Sequence, residues 1–173
     1  MVGHMNVSFL RAIAYILEEH EGGESNLAAD PGGRTRFGIS ETYFPAVWKM
    51  PGGPTLTAAL EIYWNEFWVS IKADEIKHAA LRNKLFDIAI NMGPGRAGKM
   101  LQESLNILVK QTTPLKVDGQ IGQVTLGVLN AYRNQRSIVF MLGALMVDRY
   151  RQNPNAATFL AGWLVRANWN GVA

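Results

Sequence analysis

Apolar residues recur at helical spacing along most of the chain, and the interruptions fall at clusters of glycine and proline. Phe9, Ala12, Ile13, Ile16 and Leu17 follow an i, i+3, i+4, i+7, i+8 rhythm, which predicts an amphipathic helix from about Ser8 to His20. Gly22-Gly23 then supplies the left-handed residue that commonly ends a helix. From Leu27 to Ser40 the helical period is lost. Asp30 before Pro31 is biased to an extended conformation and Gly32-Gly33 permits a reversal. Thr35, Phe37 and Ile39 alternate with Arg36, Gly38 and Ser40, which predicts a short strand or hairpin arm.

The helical rhythm returns after Pro51-Gly52-Gly53-Pro54. Thr55 or Thr57 can cap a helix that carries Leu60, Tyr63, Trp64, Phe67 and Trp68. Leu81 to Met92 forms a further helix, on which Asp87 and Asn91 make an i, i+4 pair beside Phe86 and Ile90; that setting predicts buried hydrogen-bonding roles for both. Gly93-Pro94-Gly95 marks the internal boundary, too short to act as a free linker, so residues 6–93 and 94–173 are expected as two regions packed in one unit. Ala97, Met100, Leu101, Leu105 and Leu108 define a long helix, and Lys110 to Lys116 a loop. Asp118-Gly119 gives a turn, Gly122 another, and Thr125 can begin the next helix. Ser137 to Val147 is strongly apolar but far shorter than the roughly 20 residues a bilayer crossing needs, and reads as a buried core helix. The fold class is mainly α, with a small β-hairpin or loop after the first helix.

Composition narrows the function without naming it. A chain of 173 residues, 48% hydrophobic and 18% charged, can build one real core. A net charge of +3 favours anionic partners. The basic residues are scattered with no aromatics interleaved, which argues against nucleic acid. Cysteine is absent, so thiol nucleophiles and disulfides are excluded. His4, His20 and His78 form no metal-ligand motif, and neither metal nor cofactor is expected. The first apolar stretch is broken by Arg11 and ends in Glu18-Glu19, unlike a signal peptide; stable membrane insertion is not expected, and a monomer is assumed.

The chemistry sits where the first helix ends. Glu21 lies four residues past Leu17, so a helix reaching that far projects the carboxylate from the edge of the apolar face. The negative end of the helix dipole and poor solvation both disfavour the anion, raising the pKa as a general acid requires. Taken singly, a glutamate near a helix end is more often an ordinary solvated group. Asp30 alone reads as an Asx-type turn, and Thr35 as a cross-hairpin partner.

Together these residues carry a resemblance. Glu21-Gly22-Gly23 and Ala29-Asp30-Pro31-Gly32-Gly33-Arg34-Thr35-Arg36-Phe37-Gly38-Ile39 resemble the signature of glycoside hydrolase family 108, phage-type N-acetylmuramidases. The similarity continues through Ile62-Tyr63-Trp64, Phe67-Trp68, Leu85-Phe86-Asp87 and Asn91-Met92-Gly93. It implies a lysozyme-like helical fold and hydrolysis of the β-1,4 bond between N-acetylmuramic acid and N-acetylglucosamine in peptidoglycan. Glu21 then maps onto the catalytic acid, while Asp30 and Thr35 match the Asp and Thr that hold the attacking water in phage lysozymes. Tyr63, Trp64 and Asn91 are the candidate sugar-binding residues. By analogy inversion is favoured, which needs the two carboxyl groups about 6.5–9.5 Å apart; about 5–5.5 Å would indicate retention. One departure is Glu24, where the family commonly has an aromatic residue.

Asp118-Gly119-Gln120-Ile121-Gly122-Gln123-Val124-Thr125-Leu126 resembles the turn of helical peptidoglycan-binding modules, and Phe159 to Arg166 the closing helix of the region that accompanies family 108. As chemistry, that turn-to-helix joint reads equally as glycan contact or as architecture. The resemblance implies a phage or prophage endolysin, made in the cytoplasm and acting on the wall after release by a holin, lysis or a secretion machine. A lytic transglycosylase, or a non-catalytic wall-binding or secretion-accessory protein, is the alternative.

Overall fold

A computed structural model of the chain describes residues 5–19, 24–25, 33–110 and 112–172. Among them are eight α-helices and three two-residue strands. The fold class is the one the sequence predicts: mainly α, with a small antiparallel β element following the first helix. The chain divides into two compact units, Met1–Glu66 and Phe67–Ala173.

In the first unit, α1 (Val7–Glu19) buries Phe9, Ala12, Ile13 and Ile16, the stripe set by its helical period. The Asn6 side chain accepts from the Phe9 N–H at 2.9 Å, which satisfies one of the free donors at the helix start. Three strands follow, β1 (Glu24–Ser25), β2 (Thr35–Arg36) and β3 (Ile39–Ser40), in the antiparallel order β1-β2-β3. Thr35 faces Ser25 on one side and Ser40 on the other in the register. The alternation from Thr35 to Ser40 predicts a short strand or hairpin arm, and the segment holds both arms of a tight hairpin that reverses at Phe37-Gly38. Both residues have positive φ (53° and 70°), the pair of left-handed conformations that a two-residue type I′ hairpin turn demands. A short α2 (Pro45–Trp48) leads to α3 (Leu56–Ile62), where Thr55 accepts from the Ala58 N–H at 3.2 Å as the predicted cap. The helix expected to carry all the aromatics stops at Ile62, and a π-helical segment, Tyr63–Trp68, follows it.

The second unit is built on α4 (Ala79–Met92), α5 (Pro94–Val109), α6 (Gln123–Ala131), α7 (Gln135–Arg151) and α8 (Ala156–Asn168). Helices α4, α5 and α7 pack mutually, α8 lies on α7, and α6 touches α5. Gly93-Pro94-Gly95 is the corner between α4 and α5: Gly93, at φ 88°, ends the first helix, and Pro94 opens the second, where its missing N–H costs nothing. Leu81, Leu85, Phe86, Ile88 and Ala89 make α4 the core element, with Trp68 set edge-on to Phe86 at 5.0 Å. On α7, Ile138, Val139, Leu142, Met146 and Tyr150 are buried, as a core helix requires.

The Asp118-Gly119 turn is locked onto α5. Gln102, 2% exposed, donates to the Asp118 carboxylate at 3.0 Å and to the Gln120 carbonyl at 3.0 Å, and accepts from the Gly119 N–H at 2.8 Å. The backbones meet so closely that a Cβ on Gly98 would overlap the Gly119 carbonyl, and one on Gly119 would overlap the Gly95 carbonyl. Gly119 also has φ +84°, so two separate constraints require glycine there. Thr125 does not begin the next helix. α6 starts at Gln123 after Gly122, and Thr125 is buried within it.

No helix among the described residues is long and apolar enough to cross a membrane. Gly98→Ala should destabilise the protein by at least about 2 kcal/mol, since the overlap falls on backbone and cannot be relieved by a rotamer; a thermal melt checks this. The hydrogen bonds from Gln102 and from the Gln120 N–H hold the Asp118 pKa below its ordinary 3.8. Stability from that depressed carboxylate is present above the unfolded pKa and is lost as pH falls through the folded one. The Tm advantage of wild type over Asp118→Asn should therefore shrink on acidification below about pH 4.

Candidate active site

The sequence places the chemistry between α1 and β2. Glu21 and Asp30 lie outside the described residues. What frames them is described. Glu21 comes two residues after the last residue of α1 and three before β1, and Asp30 falls in the connection between the paired strands β1 and β2. Thr35 is the first residue of β2 and half-buried.

Strands of two residues cannot stabilise a sheet by themselves. Here the hairpin is held by side chains that bond its backbone. Tyr63 is 1% exposed, and its hydroxyl donates to the Phe37 carbonyl at 3.0 Å, inside the type I′ turn. The Trp48 indole donates to the Ile39 carbonyl at 3.1 Å, and Arg34 stacks its guanidinium 4.6 Å from the Trp48 ring centroid. The Arg36 side chain donates to the Gly52 carbonyl at 3.0 Å, tying β2 to the Pro51-Gly52-Gly53-Pro54 turn. Tyr63 thus serves the hairpin through its hydroxyl. Trp64 is half-buried and meets Phe9 edge-on at 5.1 Å, so that the wall of α1 and this aromatic are braced together.

In the second unit Asn91 is half-buried and accepts from the Tyr150 hydroxyl at 2.7 Å. Asp87 is fully buried and bonds the Arg166 Nε at 2.8 Å. Both therefore fill the hydrogen-bonding roles expected of them, through partners 59 and 79 residues away. Lys84, also fully buried, donates to the carbonyls of Arg166 and Ala167 at 2.8 and 3.0 Å, closing the last turn of α8. Burial lowers its pKa to about 8, against the raising influence of Asp87. A perturbed pKa often marks a reactive group, but catalysis needs access, and an enclosed lysine whose protons are spent on two carbonyls is a structural one. The sequence could not show this cluster, because its members are far apart along the chain. Its only trace was polar residues on an otherwise apolar helix. Among the described residues, no group of His, Cys, Asp or Glu is arranged to hold a metal ion.

Residues 13–93 match the family model of Glycosyl hydrolase 108, a stretch from within α1 to the Gly93 corner that contains Glu21, Asp30 and Thr35. Among solved structures the chain is similar to SagA of Brucella abortus, with 27% sequence identity and a TM-score of 0.81, over 95% of this chain and 91% of that one. No curated protein matches the sequence.

The Lys84 geometry predicts an unusual pH response. A folded pKa near 8 against 10.5 unfolded means that between these values the native state has released a proton the unfolded chain still holds. Stability from this group therefore rises with pH across that window, and a neutral amine keeps two N–H groups for its two carbonyls. Melts of wild type and Lys84→Met should show the Tm gap widening from pH 8 to pH 10.

Proposed function

We propose that the chain is a peptidoglycan hydrolase of the N-acetylmuramidase type, with Glu21 as general acid. The observation that carries this reading is the Glycosyl hydrolase 108 match over residues 13–93, which contains Glu21, Asp30 and Thr35 in order. The described framework supports it: the acid follows, in sequence, a helix whose inner face is fully packed, and Thr35 belongs to a hairpin tied down by Tyr63, Trp48 and Arg36. A rigid frame is what catalytic groups on short loops require.

In this mechanism Glu21 protonates the glycosidic oxygen as the bond breaks, and positive charge develops on the muramyl ring. Asp30 orients or deprotonates the attacking water, and Thr35 holds it by hydrogen bonding. Trp64 contributes an aromatic face for a sugar ring, and Tyr63 holds the hairpin turn. The biological role that follows is that of a phage or prophage endolysin.

Digestion of purified peptidoglycan, followed by reduction and mass spectrometry, tests the reaction. Reducible muramic acid ends are expected. Anhydro-muramic ends would replace hydrolysis by transglycosylation, and intact strands would remove the enzymatic reading altogether. Glu21→Gln should lower the cleavage rate at least about 100-fold, the usual scale for a general acid, while wall binding persists. Wild-type lysis by that variant would refute the role of Glu21.

A further inference from the structure

The hairpin that carries Thr35 turns on a residue ill-suited to its conformation. Phe37 has φ 53° and Gly38 φ 70°. Glycine adopts that region freely, whereas a bulky side chain crowds the backbone there, so Phe37 relaxes from it unless its surroundings hold it. Asparagine or aspartate before glycine is what a type I′ turn ordinarily selects. The strands are too short to compensate: β2 and β3 have two residues each, paired as Thr35 with Ser40 and Arg36 with Ile39.

Register matters more here than pairing strength. Side chains alternate between the faces of a strand, so a slip of one residue turns Thr35 to the opposite face of the hairpin. The turn sets that register. Of the side chains that tie the hairpin down, the Trp48 indole bonds the carbonyl of Ile39 on β3, and the Arg36 guanidinium reaches from β2 to Gly52. The Tyr63 hydroxyl bonds the turn residue itself, donating to the Phe37 carbonyl at 3.0 Å. Tyr63 is 1% exposed, so it has no surface to offer a substrate. It opens the π-helical segment, an irregularity that is rare in helices and recurs at functional sites. Its backbone is helical, with φ −60° and ψ −38°, so the ring projects from an uninterrupted continuation of α3.

We propose that Tyr63 is a positioning residue for the hydrolysis: its hydroxyl holds Phe37 in the left-handed conformation, and the turn so held keeps Thr35 on the face where it binds the attacking water. This assignment rests on the hydrolase reading above. Tyr63 acts through Thr35, because an enclosed tyrosine neither touches the saccharide nor exchanges a proton with it. The consequence is kinetic. Loss of the hydroxyl loosens the placement of the water at the transition state and leaves ground-state binding of the glycan strand as it was, so it lowers kcat and spares KM. The same logic predicts a repair. A residue at position 37 that accepts positive φ unaided makes the hydroxyl dispensable, and Phe37→Asn supplies the Asn-Gly pair.

Tyr63→Phe, Phe37→Asn and the two combined are compared with wild type on soluble, uncrosslinked peptidoglycan strands, counting reducible muramic acid ends. Tyr63→Phe should lower kcat about tenfold with KM unchanged, and the combined variant should return to within about twofold of Phe37→Asn alone. A hydroxyl needed only for packing or general stability would give a loss that the turn substitution cannot repair. Wild-type kcat in Tyr63→Phe, or an unrepaired loss in the combined variant, would overturn the proposal. Amide hydrogen exchange gives a readout that needs no activity. The Glu41 N–H, which donates to the Arg34 carbonyl at 2.9 Å beside the strands, should exchange about tenfold faster in Tyr63→Phe and regain its protection in the combined variant. If wild type releases no muramic acid ends, the hydrolase reading fails on that result; unchanged exchange at Glu41 in Tyr63→Phe would separately remove the hydroxyl as the lock of the turn.

Discussion

The Asp87–Arg166 ion pair is the contact on which the second unit turns. Two groups that water solvates strongly are held at 2.8 Å, with Asp87 fully enclosed, and removal of either strands a charge at a cost of about 3–5 kcal/mol. Lys84 adds a second tie by closing the carbonyl end of α8. Together they fix α8 to α4, and with it the segment whose Gly171 carbonyl accepts from Asn83. The segment after α8 therefore inherits its position from buried charges on α4 and α8. The first unit solves a smaller problem by different means. Its strands are too short to stand alone; side chains from outside the sheet bond the hairpin backbone, and Arg36 reaches from β2 to the Gly52 carbonyl.

Much of this was legible in the sequence where the signal was local. Helical periodicity located α1 and its buried face, Thr55 as a cap and the apolar character of α7. Glycine and proline clusters located the corner between α4 and α5 and the turn at Asp118-Gly119. The departures have local causes as well. Alternation over Thr35–Ser40 located the β element but not its turn, because Phe37, a bulky residue, is not where a left-handed conformation is expected, yet Gly38 beside it completes the pair. Thr125 looked like a cap, but the helix begins two residues earlier without a side-chain cap, and the hydroxyl is carried into the interior.

What sequence could not give was partnership at a distance. Asp87 and Asn91 could be recognised as polar residues on a buried face, but not that Arg166 and Tyr150 answer them. Nor could pattern alone distinguish the exposed Phe140 from the core residues of the same helix. For the proposed catalytic set, motif carried more than periodicity did: Glu21 and Asp30 were singled out by their order and spacing within a long signature, whereas the described structure contributes the elements that flank them in sequence and the place of Thr35 in β2.

The turn at Asp118-Gly119 resembles a ligand-recognition signature, yet its carboxylate, its backbone N–H and its close approach to α5 are all consumed within the protein. Helix and turn consequently form one inseparable joint. The motif is not portable: grafted onto another helical scaffold, the five residues from Asp118 to Gly122 would keep their conformation only if the receiving helix also offered a backbone bare of a side chain at the position of Gly98 and an amide at that of Gln102.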